Sequence, residues 1–303
     1  MNRDMQVTSL KTLLLVLNPK AGSGKLPDKL FEVVNMLTAA GFLVTVFPSQ
    51  GAGEIGKVIT SIGSDYDYLV CSGGDGTTAD AIDALISLNK RPAFGIIPSG
   101  TVNDFASSLG LPKDITAAAE LIISSFPRSL DIGRFENKHF SYVAAFGLFT
   151  DVSYATPQES KNLFGKLAYF MESVKRLGTI ESYECSFETD QGLFAGDFIL
   201  GIITNATSVA GFKLPDEMDI RIDDGYFDVI LIKKPASLMD WQGIITALVK
   251  MDLKNELFTV FKTQKLKFTS SEPIAWTLDG DFGGKFIEAE IMNLHNALEI
   301  ITV

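Results

Sequence analysis

The first 130 or so residues repeat one rhythm: a short apolar run, a turn, then a segment of helical spacing. The runs are "TLLLVL" (12–17), "FLVTVF" (42–47), "YLVCS" (68–72) and "FGIIP" (94–98). They are too short for buried helices and rich in Val, Leu, Ile and Phe, so they read as strands. After the first, Leu30, Val33, Val34, Leu37 and Ala40 fall on one helical face, and Gly41 stops the helix. Further helical segments are expected at 52–62, from about Thr78 to Leu88, near 102–109 and at 114–125, followed by a strand in "SLDIG" (129–133). Such alternation predicts a mostly parallel sheet covered by helices on both faces, a doubly wound α/β domain. Ligands of such sheets bind beyond the C-terminal strand ends, so the turns after the runs are where chemistry is expected.

Past residue 133 the texture changes. "HFSYVAAFG", "YECSFET", "GLFAGDFILGIITNA", "GYFDVILIK", "ELFTVFKT", "KLKFTS", "IAWTLDG" and "KFIEAEIM" are β-rich and separated by turn residues. Only 159–177 and 237–250 show helical spacing there. A mainly antiparallel, β-sandwich-like domain with helical insertions is predicted. The last strand, "ALEIITV", fits either domain. At 303 residues the chain is long enough for two cores.

A net charge of −11 argues against nucleic acid as the partner, because phosphate backbones need a basic surface. Cys71 and Cys185 are the only cysteines, and Cys71 ends an apolar run, so reduced thiols in a cytoplasmic protein are expected. With His139 and His295 as the only histidines, a multi-His zinc site is excluded and Ser-His-Asp chemistry disfavoured. "MNRDMQVTSLK" has no apolar core of signal-peptide length, and no run approaches the roughly 18 apolar residues of a membrane span, so a soluble or peripheral protein is expected.

Three glycine-rich turns follow the strands. "NPKAGSGK" (18–25) looks like a phosphate loop but fails the G-x-x-x-x-G-K-[ST] pattern at both ends, with Pro19 for the first glycine and Leu26 for the hydroxyl. A plain strand-to-helix turn and a phosphate contact both remain open for it. "SGGDGT" (72–77) is the stronger signal. Gly73, Gly74 and Gly76 allow φ > 0 and close approach, so that N–H groups can face an anion, and Thr77 or Thr78 can cap the helix. Asp75 inside such a cradle calls for a cation or a hydroxyl proton; a tight turn with a capping Asp is the alternative. "PSGTVNDFASSLG" (98–110) presents Gly100, Thr101, Asn103 and Asp104 at the same sheet end, as ligand contacts, as a helix cap, or as both.

In this order, "LNPKAGSGK", "GGDGT", "PSGTVNDFASSLGLP", "DGYFDVILI" and "LDGD" resemble the diacylglycerol kinase catalytic-domain family, and more closely its soluble bacterial lipid kinases. The resemblance covers nearly the whole chain, and the pairing of GGDGT with PSGT-x-ND is its specific part. It implies ATP- and Mg²⁺-dependent phosphorylation of a lipid hydroxyl, diacylglycerol by default, by a peripheral cytoplasmic enzyme. It also implies two domains with ATP at the cleft between them: residues 1–133, with about 292–303 returning to the kinase domain, and a lipid-substrate domain at 134–291. By motif, Asn18, Gly22, Gly73, Gly74, Gly76, Thr77 and Thr101 match nucleotide-site positions; Asp75 matches the Mg²⁺–phosphate position; Asp104 and Asp131 match a supporting acidic network; Lys25 either reaches a phosphate or caps a solvated turn.

Two places need separate comment. Where the family usually has D-G-E, with the Glu as general base, this chain has "LDGD", so Asp281 takes the role with one methylene less. An Asp-Gly hairpin turn explains the same residues, and such a turn can still present Asp281. "RIDDGYFDV" (221–229) resembles the family's structural-metal loop, with Asp224 as the carboxylate and carbonyls of Arg221 and Tyr226 as further Mg²⁺ ligands; a solvated acidic turn is the alternative. Lysines among apolar residues at 159–176 and five lysines at 250–267 offer faces for anionic headgroups, or amphipathic surfaces packed on their own domain. Edge strands leave a homodimer open. The rival functions are a kinase of another lipid, a soluble-acceptor kinase of the NAD kinase type, and a non-catalytic nucleotide or lipid sensor.

Overall fold

A computed structural model describes residues 10–22, 25–101, 103–148, 181–209, 212–250 and 252–303. The helix expected at 159–177, with the membrane-facing surface assigned to it, lies outside the described residues. The chain divides into two compact units, Met1–Ser129 with Leu298–Val303, and Leu130–Ala297.

In the first unit, β1 (Lys11–Leu17) lies between β2 (Phe42–Pro48) and β3 (Tyr68–Gly73), and β4 (Ala93–Pro98) lies beyond β3, all parallel. The helices that return the chain are α1 (Lys25–Ala39), α2 (Glu54–Ile62), α3 (Asp75–Ile86), α4 (Asp104–Ser108) and α5 (Ile115–Ser124). β1, β3 and β4 read as continuous apolar runs because both faces are covered, whereas β2 at the sheet edge leaves Leu43 exposed. Leu13, Leu15 and Leu17 of β1 pack with Val33 and Leu37 of α1 and Ala118, Ala119 and Ile122 of α5, while Leu14 and Val16 between them are equally inaccessible. α5 starts at a side-chain cap: Asp114 Oδ1 accepts from the N–H groups of Thr116 (3.0 Å) and Ala117 (3.1 Å). The end of the chain joins this sheet, Ile300 pairing in parallel with Phe94.

The second unit is antiparallel. It contains β5 (Pro127–Phe135, from Leu130 onward), β6 (Lys138–Phe140), β7 (Val143–Gly147), β8 (Tyr183–Thr189), β9 (Gly192–Thr204), the short β10 (Ser208–Val209) and β11 (Phe212–Lys213), β12 (Phe227–Lys233), α6 (Leu238–Lys250), β13 (Phe258–Thr263), β14 (Lys265–Leu278) and β15 (Asp281–Ile301, as far as Ala297). β9 and β14 are long and are shared. Their residues 192–198 and 266–270 flank β8, and their residues 200–204 and 276–278 flank β7, closing a ring of pairings. What reads in sequence as a sandwich therefore has its two layers joined by common strands. Inside the ring, Phe146, Phe187, Phe198, Phe268 and Trp276 form an aromatic core, with Trp276 4.9 Å from Phe146 and 5.1 Å from Phe268 between ring centres. α6 buries Trp241, Ile244 and Ala247 against Ile199, Leu200, Ile230 and Ile232. Among the described residues no helix is long and apolar enough to cross a membrane.

Candidate active site

The parallel register of the first unit decides where its turns emerge. Leu17 lies opposite Ser72, and Gly73 opposite Pro98, so β1, β3 and β4 end together. Backbone hydrogen bonds then knit the three following turns: Asn18 N–H donates to the Ser72 carbonyl (2.9 Å), and the N–H groups of Ser99 and Gly100 both donate to the Gly73 carbonyl (2.9 and 3.0 Å). Ser72 Oγ adds a bond to the Ile97 carbonyl (3.0 Å), and Asn18 Nδ2 one to Thr77 Oγ1 (3.4 Å).

Two glycines are required by this convergence. Gly22 has φ +56°, and a Cβ there would lie 2.2 Å from the Ser99 carbonyl oxygen. A Cβ on Gly100 would lie 2.4 Å from Gly74 Cα. Asn103 holds the third turn from a left-handed conformation (φ 56°), its Oδ1 accepting from Gly100 N–H (3.0 Å) and its Nδ2 donating to the Gly100 carbonyl (2.8 Å).

"GGDGT" differs from the expected turn. α3 begins at Asp75, three residues earlier than Thr78, with Gly74 as N-cap. None of Gly73, Gly74 and Gly76 has positive φ, and neither Thr77 nor Thr78 caps the helix; Thr78 Oγ1 donates back to the Gly74 carbonyl (3.2 Å). The reason is that β3 runs into α3 through one extended residue, so no left-handed step is needed. The consequence favours anion binding. A helix leaves its first N–H groups without intrahelical acceptors, and here the N-cap has no side chain to satisfy those of Asp75, Gly76 and Thr77. Asp75, half-buried, accepts from the N–H of Phe105 in α4 through Oδ1 (3.2 Å). Asp104 is the first residue of α4, and Thr101 is exposed on the turn before it. The backbone of Lys25 opens α1; its side chain lies outside the described residues.

One carboxylate suits Mg²⁺ at Asp75, because this ion keeps several waters and takes its other ligands from nucleotide phosphates. Cys71, under the same helix, is fully buried, and burial pushes its thiol up to about 12; Cys185 in the second unit is likewise pushed up to about 12. Neither is a nucleophile at neutral pH.

In the second unit "LDGD" is a two-residue hairpin turn. Asp279 and Gly280 have φ 52° and 89°, and Leu278 pairs with Asp281. Asp281 is exposed at the start of β15. Asp279, which the sequence pattern left without a role, is the anchored member. Its oxygens accept from the N–H groups of Ser141, Tyr142 (3.0 Å) and Val143 (3.1 Å), fixing the hairpin to the turn before β7. Burial pushes Asp279 up to about 6, against those three N–H groups, which favour the carboxylate.

Asp131, on β5, is fully buried and is a hub within its unit. Oδ2 accepts from Gly225 N–H (2.6 Å), and Oδ1 meets Asn296 N–H (2.8 Å) and His295 Nδ1 (2.9 Å). It thereby fastens the 221–226 loop to β15. Two histidine and asparagine partners that the sequence pattern did not single out, His295 and Asn296, are further linked through Nε2 and Nδ2 (2.8 Å).

The 221–226 loop holds Asp224 differently from a metal ligand. Its Oδ1 accepts from Tyr226 N–H (3.0 Å), and its Oδ2 faces the Lys262 ammonium at 3.3 Å. Arg221 pairs through Nε with Asp223 (3.4 Å). Among the described residues no group of three or more His, Cys, Asp or Glu side chains is arranged to hold a metal. The Mg²⁺ expected at Asp224 with the carbonyls of Arg221 and Tyr226 would draw on one carboxylate only, and that carboxylate already faces Lys262. The lysine run at 250–267 is also partly engaged, Lys262 here and Lys267 with Glu288 (2.6 Å).

A parallel α/β unit with three glycine-rich turns at one sheet end and an antiparallel β unit with acidic turns are the two parts that the comparisons with known proteins cover. Residues 12–135 match the family described as the diacylglycerol kinase catalytic domain. The chain is 32% identical over 296 residues to a diacylglycerol kinase of Staphylococcus carnosus (strain TM300), covering 96% of this chain and 95% of the relative. It is 30% identical over 297 residues to one of Bacillus subtilis (strain 168), covering 96% of each. A crystal structure from Bacillus anthracis str. Sterne is 25% identical, covers 100% of this chain and 99% of its own, and superposes with a TM-score of 0.83. A diacylglycerol kinase structure from the same strain has TM-score 0.75 at 24% identity, over 98% of both chains, and shows the fold. The chain belongs to the diacylglycerol kinase catalytic-domain family, a family of lipid kinases.

Two outcomes follow from the geometry. Gly100→Ala drives a methyl into Gly74 and is expected to lower unfolding free energy by about 1–3 kcal/mol, read by urea titration. For Asp279, the folded pKa lies above the unfolded value near 3.8. Between these values the folded chain keeps a proton that the unfolded chain has lost, so Asp279's contribution to stability is present below pH 4 and falls as pH rises to about 6. Wild type is expected to lose up to about 3 kcal/mol more stability than Asp279→Asn between pH 4 and pH 7, in paired urea titrations.

Proposed function

We propose that the protein transfers the γ-phosphoryl group of ATP to the hydroxyl of a membrane lipid, diacylglycerol first among acceptors, yielding phosphatidic acid. The observation that carries this reading is the uncapped N-terminus of α3, with Asp75 as its first residue, at the edge where β1, β3 and β4 end together.

In this reading the N–H groups of Asp75, Gly76 and Thr77 bind phosphate oxygens, aided by the closely apposed turns at Asn18–Gly22 and Gly100–Thr101. Asp75 is the carboxylate for Mg²⁺, which when bound neutralises charge on the transferred phosphoryl group. Phe105 N–H holds Asp75 in place, and Asp104 belongs to the same turn. The second unit takes the lipid, and Asp281 accepts its hydroxyl proton. The new bond joins the lipid oxygen to phosphorus, and the bond to the ADP oxygen breaks. Asp131 acts as a positioning residue, holding His295, Asn296 and the 221–226 loop. Since the acceptor resides in a bilayer, the cytoplasmic enzyme meets it at the membrane surface.

Asp75→Ala is expected to abolish lipid-dependent ADP release from diacylglycerol micelles; unchanged turnover would overturn the mechanism. Asp281→Asn is expected to bind ATP as wild type does while phosphotransfer falls about 10²–10⁴-fold; full activity would place the base elsewhere. Mass spectrometry of lipids phosphorylated from a total membrane extract identifies the acceptor.

A further inference from the structure

The acidic loop of the second unit already contains a cation. β12 and β13 pair antiparallel with Asp228 directly opposite Lys262, which brings their side chains together on one face of the sheet. Phe227 and Val229 on either side of Asp228 point into the aromatic core, yet Asp228 is itself buried, 2% exposed. A buried carboxylate requires a countercharge. Lys262 supplies it: its Nζ lies 3.5 Å from Asp228 Oδ2 and 3.3 Å from Asp224 Oδ2. The third contact of the ammonium is the Asp219 carbonyl, to which it donates at 2.8 Å. The ammonium thus donates to two oxygens, the Asp219 carbonyl and Asp224 Oδ2, and stands beside Asp228 Oδ2 as an ion-pair partner, that oxygen having no hydrogen-bond donor of its own.

The arrangement is that of a small oxygen cage around a positive centre, drawn from the 219–224 loop and the start of β12. A divalent ion on Asp224 would bind its oxygen at about 2.0–2.6 Å. It would then sit beside an ammonium only 3.3 Å from the same oxygen, with strong repulsion between the two cations. We propose that Lys262 is the resident cation of this loop, its ammonium standing where a divalent ion would otherwise join Asp224 to the strand, so that the second unit folds without Mg²⁺ or Ca²⁺. The consequence is a division of labour: any divalent requirement of the enzyme belongs to its nucleotide side alone.

The test counts ions without nucleotide. Mg²⁺ or Ca²⁺ alone is titrated calorimetrically into wild type, Asp224→Asn, Lys262→Met and the double variant, and Tm is measured with EDTA and with millimolar Ca²⁺. Wild type and Asp224→Asn are expected to bind the same number of ions, with a wild-type Tm insensitive to EDTA. Lys262→Met is expected to melt several degrees lower in EDTA, to regain Tm with Ca²⁺, and to take up one further ion that the double variant loses. A wild-type ion lost on Asp224→Asn, or a folded Lys262→Met that takes up no further ion, overturns the proposal. Should Lys262→Met fail to fold under any condition, the comparison of wild type with Asp224→Asn decides alone.

Discussion

Parallel pairing of β1, β3 and β4 in a register that ends all three strands at one level is the constraint from which the first unit's chemistry follows. Three turns leave the sheet side by side, and each is tied to its neighbour through a carbonyl at a strand end: Ser72 receives Asn18, and Gly73 receives both Ser99 and Gly100. Backbones that close leave no space for side chains at Gly22 and Gly100. The start of α3 has glycine as its N-cap and no capping side chain, which is the feature the proposed phosphate contact draws on.

In the second unit, carboxylates replace glycines as organisers. Asp279 gathers three consecutive N–H groups, Asp131 gathers two N–H groups and an imidazole, and Asp224 and Asp228 share an ammonium. Each group is placed where loops must be fixed against a β framework that supplies few backbone partners at its ends. A charged acceptor binds N–H groups more strongly than a neutral one, which suits it to pinning a turn. The net charge of −11 is thus in part internal architecture and not only a solvated surface.

Much of the fold was legible in the chain. The apolar runs at 12–17, 42–47, 68–72 and 94–98 became β1 to β4; β1, β3 and β4 are apolar throughout because both their faces are covered. The glycine-rich segments were legible as turns at the strand ends. Their details were not: Gly73, Gly74 and Gly76 read as left-handed positions, whereas the chain passes from β3 into α3 with no such step. Asp279 was passed over, and Lys262 read only as one of the lysines at 250–267, because a motif names neighbours in sequence, and their partners stand 136–138 and 34–43 residues away.

The sequence by itself determined the α/β character of the first unit, the β character of the second, and the family. Local spacing suffices for these, because periodicity and turn chemistry act over a few residues. Only the tertiary structure decided which acids are free to meet a ligand and which are already spent. Asp281 lies exposed, Asp131 is buried among N–H groups, and Asp224 faces a lysine from another strand. A carboxylate's role is set by the charges and donors within a few ångströms of it, and those are brought there by strand register.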